Sequence, residues 1–126
     1  MSPPLSAPCG ARYDPRALAS VDELLSLDLR AGTIVSARPL RGARKPCFAL
    51  SIDFGALGRK SSSAQIAGLY EPDDLVGLQV LAIVNLPVKR VAGFDSEVLV
   101  LGVDDGQGEN VLLIPERPVP DGGRVG

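Results

Sequence analysis

Catalysis needs a nucleophile, an acid–base group or a metal shell, and the residues that supply them are scarce in this chain. It contains no histidine. That removes Ser-His and Cys-His pairs, an imidazole general base and the usual zinc site, because two cysteines alone cannot close a four-coordinate shell. The adjacent carboxylates Asp73 with Asp74 and Asp104 with Asp105 fall in a helix-cap setting and a turn setting, where aspartate serves backbone N–H groups. The glycines are scattered singly rather than clustered at a strand-to-helix junction, so no phosphate-cradling motif of the Walker or dinucleotide kind occurs. These residues describe a binding protein without metal or cofactor, not an enzyme.

Charge is the chemistry that remains. The chain carries 13 Lys and Arg against 15 Asp and Glu, a net charge of −2. Residues 29–70 nevertheless hold seven cations and one carboxylate, Asp53, a local charge of +6, whereas residues 71–126 hold four cations and ten carboxylates, −6. Such segregation points to a nucleic-acid face on an otherwise acidic protein. Charge alone is equally compatible with weak surface pairs that meet across the fold. Proteins that grip single strands stack successive bases on aromatic rings, and here the aromatics are only Tyr13, Phe48, Phe54, Tyr70 and Phe94. Tyr13 falls in a terminal arm, and Phe48 and Phe54 belong to the apolar face of a strand. A folded RNA read by shape is the nucleic-acid partner that survives.

The elements that must position these groups follow from patterning. At 126 residues, 45% hydrophobic and 22% charged, the chain makes one domain. Residues 1–19, with Pro3, Pro4, Pro8 and Pro15, read as a flexible extension without the apolar region of a signal peptide, and no apolar run reaches the ~18 residues of a membrane span. A cytoplasmic location with Cys9 and Cys47 as free thiols is the expectation. The domain proper, residues 20–126, opens with the capping-box spacing Ser20 to Glu23. Strands follow at 28–38, with Gly32 as a bulge or bend, at 47–54, where Phe48, Leu50, Ile52 and Phe54 share one face, and at 60–66. Pro72 starts a short helix that ends before Gly77. Strands at 79–85, 97–103 and 111–115 complete an all-β, five-stranded OB-fold barrel, with a short helix between strands three and four, an N-terminal helix and an additional C-terminal strand. Residues 80–84 and 98–101 are apolar on both faces, which predicts a homodimer that buries the outer stripe. Cover by the N-terminal helix or the C-terminal tail is the alternative.

Five phrases in fixed order, LRAGTIV (29–35), ARKP (43–46), SSAQI (62–66), NLPVKR (85–90) and GFDSEVLVLG (93–102), resemble the CsaA family. That family belongs to the tRNA-binding-domain group also appended to methionyl- and bacterial phenylalanyl-tRNA synthetases. The resemblance spans residues 27–125. It implies an OB-fold homodimer that binds tRNA by shape and, for CsaA, chaperone-like binding of exported polypeptides and of the SecA translocation ATPase. Within the matching phrases, Arg30, Arg44, Lys45, Lys89 and Arg90 are candidates to neutralise phosphates, with Arg44 and Lys45 foremost. Ser62, Ser63, Gln65, Asn85 and Ser96 are candidates to hydrogen-bond at a groove rim. The plainer reading is that Ser62 and Ser63 face water while Gln65 and Asn85 satisfy loop backbone. Glu97 either positions Lys89 or Arg90 through a charge-assisted hydrogen bond or repels phosphate. The alternative function is an ATP-independent secretion chaperone that holds unfolded preproteins in apolar grooves, with little or no tRNA binding.

Overall fold

The structure, a computed structural model, describes residues 14–43 and 46–126; Cys9, Tyr13, Arg44 and Lys45 lie outside the described residues. The capping box forms as its spacing requires. Ser20 Oγ accepts the Glu23 N–H at 3.1 Å, and the Glu23 carboxylate accepts the Ser20 N–H at 2.9 Å, which starts helix α1 (Val21–Leu25). Strands β1 (Leu29–Pro39), β2 (Phe48–Asp53) and β3 (Arg59–Ala64) make an antiparallel meander. Helix α2 (Pro72–Leu75) begins on Pro72, and Gly77 just beyond it sits at φ +91°, a left-handed conformation that glycine adopts without a Cβ penalty. Strand β4 (Gln79–Ile83) then returns to β1.

The sheet order is β3-β2-β1-β4-β7, with β7 (Leu99–Val100) outside β4. The barrel closes where the N–H groups of Glu97 and Val98 donate to the Ser61 carbonyl at 2.8 and 3.2 Å. This is the five-stranded OB-type plan, with its short helix between the third and fourth strands. Closure requires β1 to serve two neighbours: Leu29 to Thr33 pair with β4 and Thr33 to Pro39 with β2. Gly32 is the point of close approach, since a Cβ there would lie 2.7 Å from the Phe54 ring and from Ile52. The bulge itself falls at Val35, where the register slips between Ile34 and Ser36.

Ile34, Leu50, Ile52, Phe54, Leu75 and Val80 are fully buried and form the centre of the core. The alternation of 47–54 therefore holds on its apolar face. Cys47 and Ala49, on the other face, are buried as well, and burial raises the free Cys47 thiol above its usual pKa.

Two features depart from the sequence reading. The strand expected at 97–103 is broken: β7 stays with β4, whereas β8 (Gly102–Asp104) leaves to pair with β9 (Asn110–Leu112). Gly102 permits the switch, because a Cβ there would press to 3.1 Å from the Val111 carbonyl oxygen. A second hairpin, β5 (Lys89–Val91) with β6 (Phe94–Ser96), stands where only loop was expected. Its two-residue turn places Ala92 at φ +50° and Gly93 at φ +79°, the double positive φ of a primed hairpin turn.

The C-terminal segment runs beside β1, with the Gly122 N–H donating to the Ala31 carbonyl at 2.7 Å and the Val125 N–H to the Leu29 carbonyl at 2.9 Å. Helix α1 buries no residue; within the predicted stripe, residues 80–84 and 98–101, only Leu99 is exposed, at 47%, while Val80, Ala82, Ile83 and Val98 are buried and the Leu81 N–H donates to the Leu113 carbonyl. Among the described residues, no helix is long and apolar enough to cross a membrane.

Candidate functional site

The inserted hairpin makes the site. It leans toward β3 and, with β7 and β8, walls an open cleft of about 850 Å³. Ser63, Gln65, Lys89, Arg90 and Ser96 all line this cleft, so residues far apart in sequence converge on one depression. Its floor and flanks include Leu86, Pro87, Val88 and Leu99, an apolar component beside the cations. Ser96 is an anchor: its Oγ accepts the Ser63 N–H at 2.9 Å and donates to the Val98 carbonyl at 3.2 Å. Gln65 keeps its side chain exposed while its carbonyl accepts Asn110 Nδ2 at 3.2 Å.

Lys89 and Arg90 project as exposed side chains from β5. Among the described residues Lys89 makes no ion pair, and Arg90 meets the Asp95 carboxylate at 2.8 Å with both groups more than half exposed. Such a pair is screened and worth only about 0–1 kcal/mol, so little holds the guanidinium to Asp95. Glu97 also lines the cleft, but it turns to β3. Its carboxylate accepts the Ser61 N–H and the Ser61 hydroxyl, each at 3.0 Å. The Ser61 backbone N–H, and then its hydroxyl, hold the Glu97 carboxyl below the ordinary glutamate range. Its hydrogen bonds thus go to neither Lys89 nor Arg90.

The other candidates sit elsewhere. Arg30 donates to Asp28 at 2.6 Å and to the Gly122 carbonyl at 3.0 Å, and its hydrogen bond and charge, with help from Arg124, hold the Asp28 carboxyl below its usual range. Asn85 accepts the Asp28 N–H at 2.8 Å and donates to the Ser26 carbonyl at 2.9 Å, which ties the end of α1 to the exit of β4. Ser62 is fully buried, its hydroxyl donating to the Ser63 carbonyl at 3.0 Å. Arg44 and Lys45 lie outside the described residues; on either side of them the Leu40 N–H donates to the Cys47 carbonyl at 2.9 Å. Two further arginines of that region, Arg38 and Arg41, are exposed beside the hairpin tip, with the Arg38 guanidinium 5.7 Å from the centroid of the Phe94 ring. The sequence reading counted both in the basic segment but gave them no place in a site. The run of cations between residues 38 and 45 was the available signal.

Comparison with known proteins agrees with this architecture. Residues 29–124 match the family described as "Putative tRNA binding domain". The chain belongs to this tRNA-binding-domain family. Within that fold, the crystal structure of chaperone CsaA from Bacillus anthracis strain Ames superposes with a TM-score of 0.82 at 51% identity, covering 87% of this chain and all of that one. The CsaA chaperone protein from Picrophilus torridus superposes with a TM-score of 0.80 at 38% identity, over 86% of this chain and all of that one. The methionine–tRNA ligase of Methanoculleus marisnigri is 37% identical over 108 residues, which cover 86% of this chain and 16% of the ligase. The chain spans only about a sixth of the length of such curated relatives. The two CsaA structures thus share this barrel.

Proposed function

We propose that the cleft between β3 and the β5–β6 hairpin binds folded RNA of the tRNA kind, through phosphates and 2′-hydroxyls rather than base sequence, and that the protein acts by binding alone. The carrying observation is the convergence of Lys89, Arg90, Ser63, Gln65 and Ser96 on one open depression in a tRNA-binding-domain chain. Cations and small hydrogen-bonding side chains are the groups that read an RNA surface by shape. In this reading Arg30, Ser62 and Asn85 hold the frame that presents the cleft, and Arg44 and Lys45, outside the described residues, remain candidate phosphate contacts. A gel-shift titration with bulk tRNA tests it. Neutralising ~4–6 phosphates gives a slope of log K against log salt of roughly −3 to −5, and the Lys89→Ala, Arg90→Ala double variant flattens that slope by about 2. A salt-independent affinity refutes the reading.

A second reading rests on the apolar part of the cleft. Val88 and Leu99 are 59% and 47% exposed beside the cations, a surface suited to an extended polypeptide. With the likeness to CsaA chaperones, this supports cytoplasmic binding of unfolded preproteins, with SecA as a further partner. It predicts binding of a denatured client that persists in high salt. Exposed Leu99, with Val103 and Ile114 beyond the predicted stripe, supports a homodimer in either case.

A further inference from the structure

A second depression, of about 500 Å³, lies between the loop after β1 and the hairpin tip and shares no lining residue with the cleft. Arg38, Arg41 and Phe94 bring its chemistry, and the Ala92–Gly93 turn forms one wall. Resting on the RNA reading above, we infer that this depression receives one unpaired nucleotide of the bound RNA, with its base against Phe94 and Arg38 and its phosphate on Arg41.

Several observations converge on that ligand. The Arg38 guanidinium lies 5.7 Å from the Phe94 centroid, so a planar, weakly hydrated cation and an aromatic face already stand together, and both stack on bases. Arg38 and Arg41 are exposed, and among the described residues neither guanidinium is held by an ion pair or a hydrogen bond to another side chain. Among the described residues no carboxylate lines the depression, in contrast to the cleft, where Glu97 does. The platform is held in place: Phe94 is half-buried and directly follows the tight turn, and Gly42, at φ +86°, brings the loop back beside Ala92. The volume falls within the roughly 300–1,000 Å³ of small-ligand sites. The position also fits, because in OB barrels the loop between the first two strands and the loop between the last two border the nucleic-acid face. A lone ring cannot stack a succession of bases. It suits a folded RNA that presents a single splayed nucleotide.

The test compares bulk tRNA with a fully paired RNA duplex of similar length, for wild type, Phe94→Leu, Arg38→Gln and Arg41→Ala. Phe94→Leu keeps apolar bulk and removes the ring face. The expected result is tRNA binding weakened about 5- to 100-fold, with the salt slope unchanged and duplex binding unaffected. Arg41→Ala weakens tRNA binding and lowers the slope by about 1. Arg38→Gln, at an exposed position, reduces the preference for tRNA over duplex and carries the test by itself if Phe94→Leu fails to fold by circular dichroism. Wild-type affinity for tRNA in the folded ring variant overturns the nucleotide site and leaves the phosphate reading standing. Equal losses for tRNA and duplex overturn it too, since no unpaired base is then involved. Failure of wild type to bind tRNA at low salt overturns both readings together. Displacement of tRNA by an acidic peptide that itself requires Phe94 assigns the depression to a protein partner and overturns the proposal.

Discussion

Replacing Glu97 with glutamine should move stability and RNA affinity in opposite directions. The carboxylate takes both the N–H and the hydroxyl of Ser61 at 3.0 Å at the seam where the barrel closes through the Ser61 carbonyl. Hydrogen bonds to a charged acceptor contribute about 1.5–3 kcal/mol when desolvated, and this side chain is half-buried, so the lower end applies. Glutamine keeps the shape and one acceptor oxygen but loses the charge. We expect a loss of about 1–2 kcal/mol near neutral pH, or a fall in Tm of about 4–8 °C for a domain of this size. The pH dependence fixes the cause. Because Ser61 holds the folded carboxyl below its ordinary value of 4.5, its contribution is fully present above that value and is lost as pH falls through the folded pKa. Urea titrations of the two proteins should therefore differ by a constant amount near pH 7 and converge as pH falls through the folded-state pKa, below 4.5. Meanwhile one negative charge leaves the cleft wall. Two unit charges about 8 Å apart in water interact by about 0.5 kcal/mol, so tRNA binding at low salt should tighten about twofold. A stability gap that is the same at both ends of the pH range refutes the role assigned to the charge.

Gly32→Ala would place a Cβ 2.7 Å from Ile52 and the Phe54 ring, atoms of the fully buried core. Overpacking of this kind costs about 1–3 kcal/mol, read as a lower urea midpoint at unchanged m-value. Ala92→Gly should do the reverse, because alanine at φ +50° carries a left-handed strain that glycine lacks, partly offset by glycine's greater loss of backbone freedom. The expected gain is about 0.5 kcal/mol by the same titration.

What could be read in the sequence was whatever is local. The capping box at Ser20, the Pro72 start of α2 and the alternation of Phe48, Leu50, Ile52 and Phe54 each depend on neighbours within a few residues, and each is present. The β5–β6 hairpin left no comparable trace: its strands are three residues long, too short for a period to repeat, and its turn begins with alanine rather than the usual asparagine or aspartate. Direction was the other illegible quantity. Arg30 and Asn85 have functional groups suited to RNA, but the Asp28 side chain and backbone take them, and for Asn85 that partner is 57 residues away. Arg38 and Phe94, likewise, meet only because the hairpin folds back beside the β1–β2 loop.

How an acidic protein can offer a cationic face follows from where its carboxylates are spent. In the second half of the chain, Asp104 and Asp105 turn inward on the loop N–H groups of Gly106 and Gln107, and Asp74 caps α2 through the Glu71 N–H. Asp121 accepts Thr33, in the middle of β1, and Gln79, at the start of β4. Each of these charges is localised by backbone or neutral donors that need an acceptor, and none lines the cleft or the depression beside it. Three cations beside the hairpin follow the opposite rule: Lys89, Arg38 and Arg41 keep their donors in water. Over a Debye length of about 8–10 Å at physiological salt, a phosphate approaching the hairpin feels those donors and the two nearby carboxylates, Asp95 and Glu97, far more than the distant ones. The net charge of −2 therefore governs solubility, and the local arrangement governs what the hairpin face attracts.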